Sequence, residues 1–209
     1  VNIMNAVKQE ALEIVIAELE QSLMVMERNY RKAVSNLNSL RQCAEVDDLT
    51  RLLRRGAFLR KLHNLLKISE SDGLSVFVMM IDIDHFKNVN DSFGHQAGDC
   101  ALEKIGQLVQ KFLRPQDLAG RFGGEEIVIA IQGDEKLGIP QAKKIAERIR
   151  AGIEQAKLKT DLGQELKVTL SIGVSSSIDF GFVSERLIGQ ADEALYQAKR
   201  LGRNRVVMN

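Results

Sequence analysis

From Leu12 onward the apolar residues recur in alternating steps of four and three: Leu12, Ile16, Leu19, Leu23, Met26, Tyr30, Ala33, Leu37 and Leu40, with Ala44 next in line. A sustained spacing of this kind belongs to a helix whose apolar seam must face another helix. No proline or glycine interrupts it, and the remaining faces carry mostly Glu, Arg, Gln and Asn. At about 1.5 Å per residue such a helix runs about 50 Å, too long to lie wholly on a small domain. The pattern therefore favours a two-stranded coiled coil, with Leu12 at d and Ile16 at a, over an amphipathic helix packed on its own domain. Tyr30 and Ala33 weaken the middle of that seam. Residues 1–46 are accordingly expected to form a dimerisation and signalling helix.

Past Asp47 and Asp48 the period changes. Phe58, Leu62, Leu65 and Leu66 make a helical face, and residues 76–81 are a continuous apolar run, as in a buried strand. Ala101, Leu102, Ile105, Leu108, Val109 and Phe112 return to helical spacing. A second buried strand is expected at 127–131 and another helix around Ile145, Ile149 and Ile153. Val168, Leu170, Ile172 and Val174 alternate with polar or small residues, as a strand with one buried face does. A last helix is expected at 184–201 and a closing strand at 205–208. Strands interleaved with helices imply an α+β sheet covered by helices over residues 47–209.

The whole chain of 209 residues is long enough for one well-cored domain beside that helix. Its formal net charge of +1 argues against a protein that grips a nucleic-acid polymer. No window approaches the roughly 18 consecutive apolar residues of a membrane span, so no membrane contact is expected within this chain. Cys43 and Cys100 lack metal-type spacing and fit a reduced compartment, and His63, His85 and His95 are too scattered for a zinc site. The first residues lack a secretory pattern and begin inside a helical repeat. A cytoplasmic location is expected, as the chain itself or as the cytoplasmic part of a longer sensor.

Two clusters carry chemistry. Asp82 and Asp84 stand at the end of the first buried strand, where paired carboxylates suit a hard cation such as Mg2+. Gly123 and Gly124 separate two strand-like segments at 118–122 and 125–131 and read as a tight hairpin turn. That turn sets Glu125 and Glu126 near its tip, where they can face Asp82 across adjacent strands. Three such carboxylates repel one another unless metal ions and a triphosphate join them, the arrangement of two-metal phosphoryl and nucleotidyl transfer. The plainer reading, that acids follow strands because loops are solvated, stands equally on spacing alone.

The segment RFGGEEI at 121–127 resembles the defining hairpin of GGDEF-domain diguanylate cyclases, in its GGEEF form. The stretch DIDHFKNVNDSFGHQAGD at 82–99 resembles that family's nucleotide-binding segment almost position for position. AKRLGRN at 198–204 resembles its triphosphate-contacting segment, and DLT at 48–50 its opening turn. Four blocks in the right order cover residues 47–209. The resemblance implies a palm-like α+β sheet, related to adenylyl cyclases and polymerase palms, preceded by the long coiled-coil helix.

It also implies an activity, the condensation of two GTP molecules into cyclic di-GMP with release of two pyrophosphates. In the matching positions Asp82, the carbonyl of Ile83, Glu125 and Glu126 would bind Mg2+, two ions per half-site, with Mn2+ as an alternative. Glu125 would also receive the proton of the attacking hydroxyl, and Lys87 would stabilise charge on the reacting phosphate. Lys199 and Arg203 would hold the outer phosphates. Asn90, His95 and Asp99 would form the guanine pocket. Guanine offers N1–H and N2–H donors that a carboxylate accepts together, so Asp99 favours GTP over ATP; as a local reading, Asp99 also suits a cap on a helix beginning near Gly98.

RPQD at 114–117 occupies the place of the family's RxxD product-inhibition site, so Arg114 and Asp117 would bind cyclic di-GMP as inhibitor. Because one such domain binds one GTP, the cyclic product demands a two-fold pair, and the heptads supply a homodimer. Three departures stand out. Arg51, Arg54 and Gly56 replace the usual Gly, Asn and Arg, Ile127 replaces Phe, and the opening is Asp47-Asp48 where Asp-Pro is usual. The alternative reading is a catalytically silent module that only binds cyclic di-GMP; it would be marked by loss of the metal carboxylates, and all are present.

Overall fold

In the computed structural model the description covers residues 2–133, 138–160 and 163–209, with side chains described at 13 and from 15 to 37 and then from 45 onward. The chain divides into two compact units, Val1–Ala44 and Glu45–Asn209.

The first unit is helical, and α1 spans Asn2–Glu45. Ile16, Leu19, Leu23, Met26, Tyr30 and Leu37 of the heptad are all exposed on the single chain. The side chains of Leu12, Leu40 and Ala44 lie outside the described residues.

The second unit begins with β1 (Leu53–Arg54) and α2 (Arg55–Asp72), followed by β2 (Ser75–Ile83), α3 (Phe86–Phe93) and α4 (His95–Phe112). The hairpin strands β3 (Leu118–Arg121) and β4 (Glu126–Gly133) lead to α5 (Gly138–Glu154) and a small ribbon of β5 (Leu158–Lys159) and β6 (Glu165–Leu166). Then come β7 (Leu170–Ser176), α6 (Ser177–Phe180), α7 (Ser184–Arg200) and β8 (Val206–Met208).

Six strands form one mixed sheet in the order β1-β3-β4-β2-β7-β8. The outer pairs β1–β3 and β7–β8 are parallel, and the inner neighbours are antiparallel. Helices cover both faces. This is the palm-like α+β architecture expected from the sequence.

Parity along β2 decides what each face sees, because successive side chains of a strand point to opposite sides. Phe77, Met79, Ile81 and Ile83 join Ala101, Ile105 and Val109 of α4 and Ile149 and Ile153 of α5. Val76, Val78 and Met80 face the other way, onto Phe58 and Leu62 of α2 and Leu187, Ala191 and Leu195 of α7. All nine residues of β2 are buried, which explains its unbroken apolar run. Each large side chain so enclosed contributes about 1.5–3 kcal/mol of burial free energy.

α7 lies unusually close to the sheet because of Gly173 in β7. A Cβ there would stand 2.1 Å from the carbonyl oxygen of Ala191 and 2.1 Å from the backbone nitrogen of Leu195. Glycine is what lets the helix backbone rest on the strand, and this seating brings the C-terminal end of α7 to the end of β2.

Several elements differ from the sequence reading. Residues 86–93 fold as a separate helix, α3, and α4 starts at His95 with Gly94 as its cap. Asp99 is therefore inside the helix and caps nothing, because the chain turns at Gly94 (φ 83°), four residues earlier than the local pattern suggested. Strands β1, β5 and β6, each of two residues, are too short to show a period. No helix among the described residues is long and apolar enough to cross a membrane.

Candidate active site at the end of the central strand

The register of the sheet places the acidic residues. Asp82 lies opposite Glu126 on β4 and opposite Ser171 on β7. Directly paired residues share a face, so all three sit on the α7 side. Lys199, in the last turn of α7, reaches Asp82 with its Nζ 2.8 Å from Oδ2. The site thus joins three separated segments of chain at one strand end.

Glu125 precedes β4 at the tip of the hairpin. Burial pushes its carboxyl above the ordinary range, and the negative charge of Asp82 pushes further; Lys199 opposes the rise, while Glu126 adds to it. The crowding of like charge is what a divalent cation would relieve. Glu126 folds back over the turn, its Oε2 2.5 Å from where a Cβ on Gly123 would sit. Among the described residues no three acidic, histidine or cysteine side chains enclose an ion by themselves. The donor set still fits Mg2+, which binds through one or two carboxylates and fills its other positions with water and phosphate oxygens. Asp82, Glu125 and the adjoining Ile83 carbonyl supply hard oxygens of that kind.

Asp84 has a different job from the one its position at the strand end suggested. It is buried and accepts hydrogen bonds from the hydroxyls of Thr169 and Ser171, each at 2.6 Å, and from the backbone N–H of Asn204 at 3.0 Å. Three protein donors thus hold this carboxylate in place. His85 follows with φ 55°, a left-handed conformation that turns the chain from β2 into α3.

The hairpin itself is tied to the start of the domain. Arg121 donates from Nη2 to the carbonyl of Gly124 at 2.8 Å and from Nε to Gly123 and Gly124 at 3.2 and 3.1 Å. Its Nη1 lies 3.2 Å from Oδ1 of Asp47. Asp47 Oδ1 also accepts from the backbone N–H and the hydroxyl of Thr50, at 2.9 and 2.7 Å. Burial raises the Asp47 carboxyl, but the Thr50 hydrogen bonds and the Arg121 charge outweigh it and leave the group below its ordinary value. Phe122 packs edge-on against Phe58 with ring centroids 6.0 Å apart, and the Arg55 guanidinium lies 4.8 Å over the Phe122 ring. The sequence reading placed the opening turn at 48–50 and missed Asp47 as its anchor.

The remaining residues singled out from sequence fall in two groups. Lys87 and Asn90 are on α3, and His95 and Asp99 on α4. The Asn90 Oδ1 is buried without a hydrogen-bond partner, 2.0 Å from where a Cβ on Gly98 would sit. Glycine at 98 therefore leaves room for a side chain whose acceptor awaits a donor. Arg203 follows α7 in a left-handed backbone (φ 63°), its N–H donating to the carbonyl of Ala198 at 3.0 Å.

Arg114 and Asp117 lie away from this centre, in the turn between α4 and β3. The Arg114 N–H donates to Asp117 Oδ2 at 2.9 Å, and the Asp117 N–H returns a bond to the Arg114 carbonyl at 3.0 Å. Burial raises the Asp117 carboxyl, partly offset by the Arg114 N–H and charge. Both residues line a cleft of about 610 Å3 whose other wall includes Lys144 and Arg148 of α5. Those two cations were not found from the sequence, because nothing in their helical spacing marks them.

A mixed sheet with both faces covered, whose acidic central strand end meets a Gly-Gly hairpin, defines a palm-like α+β domain. The chain belongs to the GGDEF family: the model described as "Diguanylate cyclase, GGDEF domain" matches residues 44–205. Among its relatives, diguanylate cyclase A of Treponema denticola is 36% identical over 178 residues, 83% of this chain and 47% of that protein. The response regulator PleD of Caulobacter vibrioides is 41% identical over 174 residues, 83% of this chain and 38% of that protein. The chain thus spans less than half the length of these curated relatives. In structure it resembles the coiled coil and GGDEF domain of DgcB from Caulobacter crescentus, solved in complex with c-di-GMP. The TM-score is 0.80 with 28% identity, covering 91% of this chain and 99% of that one.

Proposed function

We propose that this chain is a diguanylate cyclase half-site, which binds one GTP and reacts with a second copy of itself to make cyclic di-GMP. The observation that carries the reading is the carboxylate group at one strand end, Asp82 opposite Glu126 with Glu125 at the turn, bridged to α7 by Lys199. Family membership and the named cyclases among the relatives support it.

In this reading the 3′-hydroxyl of each GTP attacks the α-phosphorus of the other. An O–P bond forms, the bond from the α-phosphorus to the bridging oxygen breaks, and pyrophosphate leaves; two such steps close the ring. Glu125, at the turn beside Asp82 and Glu126, orients the attacking hydroxyl and receives its proton late in the step. Asp82, Glu125, Glu126 and the Ile83 carbonyl would hold Mg2+, which would supply charge neutralisation and a lowered pKa of the attacking hydroxyl. Lys199, at the end of α7 beside Asp82, and Arg203 would hold the outer phosphates. Lys87 stabilises charge on the reacting phosphate. Asn90 meets the guanine edge with the acceptor it leaves unpaired, and Asp99 and His95 complete that pocket.

The exposed heptad of α1 supports a homodimer that raises the local concentration of facing half-sites. Arg114 and Asp117, with Lys144 and Arg148 across their cleft, support an inhibitory site for the anionic product. GTP and Mg2+ are incubated with the purified chain and the products are separated by chromatography, beside a Glu125→Gln control. Cyclic di-GMP is expected from the parent, with the control slower by about a hundredfold or more. A dimeric parent, free of bound cyclic di-GMP, that makes no product would overturn the enzyme reading in favour of a binding module.

A further inference from the structure

The segment after α7 is held in an unfavourable backbone by bonds that have no role in the chemistry above. Gly202, Arg203 and Asn204 have φ of 113°, 63° and 45°, three consecutive positive values of which two fall on non-glycine residues. Such conformations persist only where the surroundings impose them, and they gather at functional sites. Here the imposing groups are explicit. The Asn204 N–H donates to Asp84 Oδ2 at 3.0 Å. Its Nδ2 donates to Glu154 Oε1 at 2.6 Å, and its Oδ1 accepts from Arg150 Nη1 at 2.6 Å. Arg150 in turn binds Glu154 Oε2 at 2.7 Å and Glu147 Oε2 at 2.8 Å, so its guanidinium is fixed on α5. These charge neighbours keep the Glu154 carboxyl ionised to below its usual range, with the Arg150 bond first and the Asn204 bond second.

We propose that Asn204 is a positioning residue for the triphosphate, acting through Arg203. The clamp from Asp84, just past the end of β2, and from Arg150 and Glu154 on α5 locks Asn204. It thereby sets the left-handed backbone of Arg203, whose N–H is tied to the Ala198 carbonyl one residue before Lys199. Asp84 lies two residues beyond Asp82, so one strand end both carries the site's carboxylate and pins the loop that receives the outer phosphates. This inference rests on the cyclase reading. Because the outer phosphates are already charged in the bound nucleotide, loosening the loop weakens binding first, and the charge that gathers on the departing pyrophosphate adds a smaller loss of rate.

Asn204→Gly tests it cleanly. Glycine accepts the positive φ, keeps the backbone bond to Asp84 and removes only the side-chain clamp. In the full chain, GTP is expected to bind about tenfold more weakly, the scale of one well-placed hydrogen bond, with KM raised alike and kcat lowered by less than about threefold. Guanosine monophosphate, which lacks the outer phosphates, should bind as it does to the parent. Glu154→Ala, an exposed change that leaves the core intact, should weaken GTP about threefold. Glu154→Gln should recover most of that loss, since its amide oxygen still accepts from Asn204. Unchanged GTP affinity in Asn204→Gly, or an equal loss for GTP and guanosine monophosphate, would overturn the positioning role. A parent that neither binds GTP nor makes product would instead sink the functional reading on which it rests.

Discussion

The stalk helix and the palm-like sheet solve the problem of apolar surface in opposite ways. In β2 all nine residues are buried, because helices cover the sheet on both faces. Along α1, Leu19 is 64% exposed and Tyr30 70%, although both belong to the heptad seam. The sheet domain covers its own apolar strands, whereas the described residues of the seam stand exposed on the single chain. Under the proposed function the position is reversed for chemistry. The folded domain holds one substrate and needs a second copy, and the unfinished seam is what supplies that copy.

The comparison breaks most sharply at Gly173. Gly173→Ala drives a methyl group into the backbone of α7, which cannot yield as a flexible side chain would. The expected cost is about 3 kcal/mol or more, read by denaturant unfolding of the domain, together with loss of GTP binding because Lys199 leaves its place. Next in size is the stalk. Leu19→Asp with Leu23→Asp should leave the unfolding of the domain unchanged yet lower cyclic di-GMP formation about a hundredfold at dilute protein, with monomers in sedimentation. Undiminished activity in such monomers would remove the purpose assigned to the seam.

The smallest effect sharpens the comparison at the beginning of the domain. The Asp47 carboxyl is depressed in the folded state, so its contribution to stability is present above the value of the unfolded chain, about 3.9, and is lost as pH falls through the folded value. Asp47→Asn is expected to cost about 1 kcal/mol at neutral pH, and the gap between variant and parent should begin to close as pH falls below about 4. Unfolding curves across that range would show it; a gap independent of pH would mean that the charge on Asp47 contributes nothing.

Much of this was legible in the residues. The period of the heptad, the buried run of β2 and the position of β7 each follow from one-dimensional spacing. The alternation around β7 suggested one buried face, whereas α7 covers its serine and glycine side and all seven residues are buried. The Gly-Gly turn with its acids and the blocks at 82–99 and 198–204 pointed to the family. Arg51 stands where the family usually has Gly, and the structure gives the reason for that glycine: φ is 59° there, a conformation that glycine adopts without strain. What stayed hidden depends on register between distant segments. Nothing local distinguishes Asp82 from Asp84, yet one faces Lys199 and the other is enclosed by Thr169, Ser171 and Asn204. Arg150 and Glu154 read as an ordinary pair on a solvated helix face until the fold brings Asn204 between them. Lys144 and Arg148 likewise gain meaning only from the turn opposite.

The parallel pairing of β7 with β8 has a consequence for how the site comes into being. Parallel neighbours need a crossover, and here the crossover is α7, which carries Lys199 at its end and is followed by Arg203. A growing chain that has already formed the β2–β4 pair still lacks both cations until that crossover has closed over the sheet. Under the proposed function a half-made domain does not yet grip nucleotide, and long-range closures of this type are slow steps in folding. Once closed, any ligand bridging Asp82 and the end of α7 draws its affinity from the entire sheet. Its protection would therefore extend to the hydrogen-exchange and protease resistance of the whole domain.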